Sequence, residues 1–132
     1  TSSAVLEALR VLNSKRLVVA TPYIDEVNII EKKFLEDNGF EVLNIKGLQN
    51  LDPDLMPLEP FHRLYHLAKS VLKLEADTVF ISCTGLGIAH GINMMEQDFE
   101  RSVVTSNQAS IWWALRSLGI KDDMGLGKLF TL

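Results

Sequence analysis

Short apolar runs alternate about four times with amphipathic helical stretches, and this alternation constrains the fold more than any other feature of the chain. The first run, RLVVA, is continuously apolar after its arginine, which is typical of a parallel strand buried on both faces. Strands separated by helices predict an α/β fold, with a parallel sheet flanked by helices. The predicted strands are Arg16 to Ala20, Glu41 to Ile45, Thr78 to Ser82 and Ser102 to Thr105.

Helical patterns fill the intervals between these strands. Asp25 is predicted to cap the second helix, and the apolar residues Ile29, Ile30 and Phe34 are expected on one face of it. Residues 46–59 form a proline-containing loop that is long enough to have a function of its own. The predicted helices run from Ser2 or Ser3 to about Leu12, from Asp25 to Asn38, from Pro60 to about Leu74, from Ile88 to Gln97 and from Gln108 to Leu118.

Composition excludes several classes of protein. The chain has 132 residues and a net charge of -4 without a cluster of Lys or Arg, which argues against a nucleic-acid surface. No apolar run approaches the roughly 20 residues of a membrane span, and no signal peptide is visible. A single cysteine cannot form an intrachain disulfide, so a reducing, cytoplasmic compartment is expected.

Cys83 is the first candidate for chemistry. In parallel sheets, ligands bind beyond the carboxyl ends of the strands, and Cys83 directly follows a predicted strand. Backbone N–H groups and the dipole of a following helix would favour a thiolate there, and the same N–H groups can hold a carboxylate. The alternative is that a lone cysteine acts as a small buried apolar residue.

Other strand ends carry weaker candidates. The Tyr23 phenol could donate a hydrogen bond to a carboxylate or enolate oxygen, or Tyr23 could pack on the rim of the sheet. Thr105, Ser106 and Asn107 could hydrogen-bond a ligand, although Ser106 or Asn107 could equally cap the helix that follows.

Neither a metal site nor a nucleotide site is predicted. His62 and His66 share a helix face but lack the glutamate of the HExxH zinc motif, and His90 suits a surface position. The glycines at 85 and 87 are not followed by the third glycine of a dinucleotide loop.

Three segments together resemble the Asp/Glu racemase superfamily, in the branch of maleate cis-trans isomerase and arylmalonate decarboxylase. They are VVATPYIDEVN, DTVFISCTGL and SVVTSNQASIWWALRSLGI, and they span most of the chain. The resemblance implies two similar Rossmann-like α/β lobes with the site between them, each lobe offering one catalytic position, commonly a cysteine. Cys83 matches the second position.

The resemblance also implies the other site residues. Thr1, Ser2 and Tyr23 match carboxylate-binding or oxyanion residues of the family, and the backbone at Thr84 and Gly85 follows the catalytic cysteine. Asn50 falls near a loop asparagine that binds substrate in the isomerases. No cofactor and no metal are required.

The expected domain organisation follows from the two-lobed pattern. Residues 1–15 would end the first lobe, residues 16–118 would form the second lobe with Cys83, and residues 119–132 would be a tail returning toward the first lobe. We expect a further lobe before Thr1, ending in a cysteine directly before it.

The leading functional hypothesis is a cofactor-independent isomerase of a small carboxylate, most like maleate isomerase, in which Cys83 and the second thiol act together. Racemisation of aspartate, glutamate or a related acid and decarboxylation of an arylmalonate use the same kind of site. A non-catalytic small-acid binding module is the alternative of another class. The protein is expected to be a homo-oligomer, with neither nucleic acid nor membrane as a partner.

Overall fold

The computed structural model describes all residues, 1–132. Its centre is one sheet of four parallel strands in the order β2-β1-β3-β4. The predicted α/β fold with a parallel sheet between helices is therefore confirmed. The strands are β1 (Arg16–Thr21), β2 (Glu41–Gly47), β3 (Thr78–Ile81) and β4 (Ser102–Thr105).

Five α-helices and three short 3₁₀ helices connect and cover the strands. The α-helices are α1 (Ser2–Val11), α2 (Asp25–Asp37), α3 (Phe61–Val71), α4 (Ile92–Phe99) and α5 (Ser106–Ser117). The 3₁₀ helices are Pro53–Leu58, Ala89–Gly91 and Lys128–Thr131.

The alternating side chains of β1 divide the core into two layers. Leu17 and Val19 pack on one face of the sheet with α1, α2 and α5, and Val18 and Ala20 pack on the other with α3 and α4. All four side chains are 0% exposed. Full burial of a residue such as Leu or Val contributes about 1.5–3 kcal/mol, so the central strand anchors both layers.

Both ends of the chain pack on the first of these faces. Val5 and Leu9 of α1 share a buried cluster with Leu129 and Phe130 near the carboxyl terminus. The Arg116 guanidinium fixes this tail, because its three nitrogens donate to backbone carbonyl groups close to the terminus. Apolar residues from both ends of the chain therefore pack against the sheet.

The helix that was expected to start close behind Cys83 begins later. Residues 84–88 are an irregular loop, and α4 starts only at Ile92 after a 3₁₀ turn. The dipole of α4 therefore cannot act on the thiol as the sequence suggested. The predicted cap of α2 is also wrong, since Ile24 occupies the N-cap position and Asp25 is the first helical residue.

The burial pattern of α2 is the reverse of the expected one. Ile29 and Ile30 are each 69% exposed and Phe34 is 36% exposed. The buried side chains of this helix are Asn28 and Leu35. The apolar face predicted for α2 therefore does not pack into the core of this chain.

None of the helices combines the length and the apolar character that crossing a membrane would require.

Candidate active site

A pocket of about 470 Å³ opens at the carboxyl edge of the sheet, where parallel α/β folds bind ligands. The end of β3, the β1–α2 connection and the first turns of α1 and α5 converge on it. Its lining residues come from several separate segments of the chain, so the pocket is a property of the sheet edge rather than of one motif. The lining residues are Thr1, Ser2, Val5, Tyr23, Val27, Ile30, Glu31, Phe34, Phe80, Ser82, Cys83, Thr84 and Ser106.

Cys83 lies on the floor of this pocket in a backbone conformation that is uncommon for a residue with a side chain. Its φ is 130°, and its backbone N–H donates to Ser106 Oγ at 3.1 Å. The Gly85 N–H donates to Cys83 Sγ at 3.3 Å, and the Met56 Sδ lies 3.7 Å from the same sulfur. Such outliers cost of order 1–3 kcal/mol and concentrate at functional sites. Cys83 is half-buried and packs against the core beneath the pocket, while its sulfur also accepts the Gly85 N–H.

The β4–α5 corner holds the Cys83 loop in place. Thr105 caps α5, because its hydroxyl accepts from the Gln108 N–H at 3.1 Å while Gln108 Oε1 accepts from the Thr105 N–H at 3.0 Å. Ser106 and Asn107 are thereby free of the capping role considered for them. The Asn107 side chain donates to the carbonyl groups of Thr84 at 3.0 Å and Leu86 at 3.2 Å. The segment that follows Cys83 is therefore tied to α5.

Tyr23 enters the pocket from the β1–α2 connection. Thr21 Oγ1 accepts from the Tyr23 N–H at 3.1 Å and donates to Asn28 Oδ1 at 2.6 Å. β2 passes so close that a Cβ on Gly47 would lie 1.9 Å from the Tyr23 carbonyl oxygen, so only glycine fits there. Burial raises the pKa of the Tyr23 phenol above its ordinary value, and the neighbouring Cys83 raises it further. Tyr23 therefore keeps its proton at neutral pH and remains a hydrogen-bond donor.

One side of α2 forms a wall of the pocket that the sequence did not reveal. Val27, Ile30, Glu31 and Phe34 follow the spacing of one helix face, and all four line the cavity. Burial raises the pKa of the Glu31 carboxyl above its ordinary value, and the Ser82 hydroxyl offsets part of that shift. The only sequence signal for Glu31 was its position within an apolar stripe, and amphipathicity predicts that such a glutamate points to solvent.

Thr1 and Ser2 bring the amino-terminal end of α1 to the pocket. Thr1 occupies the N-cap position without a side-chain capping hydrogen bond, so its hydroxyl is not committed to the helix. No Lys, Arg or His side chain lines the pocket. The groups of this chain that can hold an anion there are hydroxyl groups, backbone N–H groups and the positive ends of helix dipoles.

The remaining candidates lie in different positions. Thr84 lines the pocket, and Gly85 contacts the sulfur through its N–H. Asn50 does not line the pocket; its amide nitrogen donates to Glu59 and its oxygen accepts from the Asp52 N–H. His90 packs on the ring of Phe61 away from these residues. The structure contains no group of three or more His, Cys, Asp or Glu side chains placed to hold a metal ion.

Comparison with known proteins identifies relatives over nearly the whole chain. The sequence model of the arylmalonate decarboxylase family matches residues 1–130. The chain is 31% identical to the arylmalonate decarboxylase of Bordetella bronchiseptica, over 98% of this chain and 55% of that protein. It is 26% identical to the maleate isomerase of Nocardia farcinica, over 97% of this chain and 52% of that protein.

Solved structures of enzymes with the same two names also match the chain. The Nocardia farcinica maleate cis-trans isomerase bound to TRIS has a TM-score of 0.93 at 25% identity, covering 97% of this chain and 53% of that one. A crystal structure of arylmalonate decarboxylase has a TM-score of 0.88 at 30% identity, covering 98% and 58%. The resemblance inferred from the sequence motifs is confirmed. The chain spans about half the length of the relatives it matches.

Proposed function

Because this chain belongs to the arylmalonate decarboxylase family, we propose that it carries one half of the active site of a cofactor-independent enzyme in which Cys83 reacts with a small carboxylic acid. Its relatives include a decarboxylase and an isomerase, and both names are those of enzymes that act on small dicarboxylic acids. The groups that line the pocket favour some reactions and substrates over others.

The observation that carries the proposal is the environment of the Cys83 sulfur. The Gly85 N–H donates to it, and the Tyr23 hydroxyl interacts with it from the opposite connection. Both groups are placed to donate hydrogen bonds to a thiolate, which is the form of cysteine that acts as a nucleophile. A nucleophilic sulfur beside carboxylate-binding groups suits the cis-trans isomerisation of an unsaturated diacid such as maleate.

The proposed reaction balances without a co-reactant. Thiolate addition forms a C–S bond to one alkene carbon and moves the π electron pair toward the carboxylate on the other carbon. Rotation about the resulting single bond follows, and return of the electron pair expels the thiolate and restores the alkene. The N–H groups after Cys83, the hydroxyl groups of Thr1 and Ser2 and the Tyr23 phenol would stabilise the enolate-like intermediate.

Decarboxylation of an arylmalonate is the second candidate, and the apolar wall of the pocket favours it. Val27, Ile30, Phe34 and Phe80 could accept an aromatic ring, while Cys83 would protonate the carbanion left by loss of CO₂. The 31% identity to a decarboxylase supports the same reaction.

The test uses the protein expressed from its natural gene. Maleate would be followed by NMR for fumarate formation, and phenylmalonate for release of CO₂. Cys83→Ser should abolish turnover of whichever substrate reacts while leaving the thermal transition nearly unchanged, because the serine keeps the shape of the side chain. A serine variant with the wild-type rate would overturn the proposal.

Thiol alkylation separates an enzyme from a non-catalytic binding module. An activated Cys83 should react with iodoacetamide at pH 7 faster than free cysteine does, and a bound dicarboxylate should slow the reaction. Reaction no faster than free cysteine, together with unimpaired ligand binding, would favour the binding module.

A further inference from the structure

On α2, the charged residue Glu31 is less exposed than its apolar neighbours, which is the opposite of the usual preference. Ile29 and Ile30 are each 69% exposed. Glu31 lines the pocket, and burial raises the pKa of its carboxyl. Burial of apolar surface stabilises a fold, while burial of a carboxyl opposes it. The stability of this chain therefore does not account for a half-buried glutamate at this position, whereas a role in the pocket does.

Glu31 has no cationic partner in this position. None of the ion pairs in the structure includes it, and no Lys, Arg or His side chain lines the pocket. The ionisable groups that face it are Tyr23 from the β1–α2 connection and Cys83 from the end of β3. The Ser82 hydroxyl is its polar contact. These surroundings favour the neutral carboxyl, which carries an O–H donor.

A protonated Glu31 would reduce the repulsion between the pocket and a bound dicarboxylate. A dicarboxylate bound beside an ionised Glu31 would bring three negative charges together, and the residues of this chain that line the pocket include no cationic side chain. A protonated Glu31 removes one of these charges and replaces repulsion by a hydrogen bond. The Thr1 and Ser2 end of α1 and the N–H groups of the loop after Cys83 also reach the pocket, and they suit the other carboxylate.

We propose that Glu31 is a substrate-contacting residue whose protonated carboxyl donates a hydrogen bond to the second carboxylate of a dicarboxylate ligand. The proposal rests on the proposed function of Cys83, since it assumes that the same pocket binds the acid. It makes Glu31 a specificity residue that favours diacids over monoacids, and it couples binding of the diacid to uptake or retention of one proton.

The experiment is calorimetric titration of the protein from its natural gene with succinate, a saturated diacid that cannot react as an alkene. Wild-type affinity should fall toward tenfold per pH unit once the pH exceeds the pKa of Glu31, because one proton is linked to binding. Glu31→Gln, which keeps a donor but cannot ionise, should bind with affinity that varies much less with pH. Protonation of succinate itself is common to both proteins and cancels in the ratio of their affinities.

Two controls make the result specific. Glu26→Gln makes the same chemical change at an exposed position of the same helix and should retain the wild-type pH profile. Butyrate, which lacks the second carboxylate, should show a smaller difference between wild type and Glu31→Gln than succinate does. Equal pH profiles of wild type and Glu31→Gln for succinate would overturn the proposal.

Titration with aspartate tests the opposite role for Glu31, in which the ionised carboxylate binds an ammonium group. An ionised Glu31 that recognises an ammonium group would bind aspartate more tightly than succinate, and Glu31→Gln would remove that preference; this result would also overturn the proposal. Failure of the proposed function looks different, because then Cys83→Ser would keep its turnover whatever succinate binding shows.

Discussion

The α5 side and the α2 side of the pocket face the same sulfur atom but are built in opposite ways. On the α5 side, Thr105 is used in a capping box, Ser106 accepts from the Cys83 N–H and Asn107 donates to two carbonyl groups of the Cys83 loop. On the α2 side, apolar residues are exposed and Glu31 faces the cavity without a cationic partner.

This difference indicates that the α5 side positions the Cys83 loop and that the α2 side contacts the ligand. Polar groups that are satisfied within the chain, as on the α5 side, fix the loop that carries Cys83. Groups without a charged partner in this chain, such as the Glu31 carboxyl on the α2 side, remain available to a ligand. We therefore expect substitutions on the α5 side to affect stability and rate together, and substitutions on the α2 side to affect binding or rate with little loss of stability.

Tyr23→Phe gives the largest expected effect on this list and tests the α2 side, to which the β1–α2 connection belongs. Loss of one donor to an oxyanion lowers rates by roughly ten- to a thousandfold, and only a hydroxyl is removed, so the fold should persist. Steady-state kinetics with the reacting diacid would measure the effect. Tyr65→Phe is the matched control, since its hydroxyl donates to Asp98 outside the pocket. Equal rates for the two variants would reduce Tyr23 to a packing residue.

Asn107→Ala tests the α5 side. It removes the hydrogen bonds to the Thr84 and Leu86 carbonyl groups, which should lower the free energy of unfolding by about 1 kcal/mol and lower turnover as the Cys83 loop loosens. Denaturant unfolding and kinetics of the same variant give both numbers. The comparison is Val27→Ser on the α2 wall, a partly exposed site where stability should change by no more than about 0.5 kcal/mol. Similar stability losses in both variants would break the contrast between the two sides.

The sheet and the position of Cys83 could be predicted because they depend on short-range patterns. Four apolar runs separated by helical stretches define the parallel sheet, and a polar or reactive residue at the end of such a run lies at the ligand-binding edge. The TPY, SCTGL and TSNQAS segments indicated the family, because their combination is specific although each segment alone is not.

The α2 wall could not be predicted, because its burial depends on packing that local patterns do not encode. Amphipathicity places Ile29 and Ile30 inside and Glu31 outside, whereas in the structure both isoleucines are 69% exposed and Glu31 is half-buried at the pocket. The late start of α4 has a similar cause: Ile88, where the helix was expected to begin, is buried as a loop residue.

The Cys83→Gly variant should be more stable than the Cys83→Ala variant, because the backbone at this position is strained for a residue with a side chain. The φ of 130° is accessible to glycine and unfavourable for any residue with a Cβ. Relief of strain of order 1–3 kcal/mol, less the 0.4–1 kcal/mol by which glycine favours the unfolded chain, leaves a net gain of about 1 kcal/mol. Thermal or denaturant unfolding of the two inactive variants measures it. An alanine variant more stable than the glycine variant would mean that the backbone at Cys83 is relaxed.

Glu31→Gln should give the smallest effect, and its sign depends on pH. Burial raises the pKa of the folded carboxyl above its ordinary value of 4.5, so the folded chain holds this proton more tightly than the unfolded chain does. The free energy of unfolding of the wild type therefore falls as the pH rises from the unfolded pKa to the folded pKa, and the full penalty is present above the folded pKa. Glutamine carries no such penalty.

The variant should accordingly be more stable than wild type at pH 7, and its advantage should shrink as the pH falls toward 4, where the carboxyl is protonated in both states. Urea unfolding at several pH values measures the difference, and Glu26→Gln should show no such trend because its side chain is exposed in both states. A stability difference between wild type and Glu31→Gln that stays constant from pH 4 to pH 7 would mean that Glu31 is as well solvated in the fold as in the unfolded chain. The α2 side would then have no buried carboxyl, and its contrast with the satisfied α5 side would rest on exposed apolar residues alone.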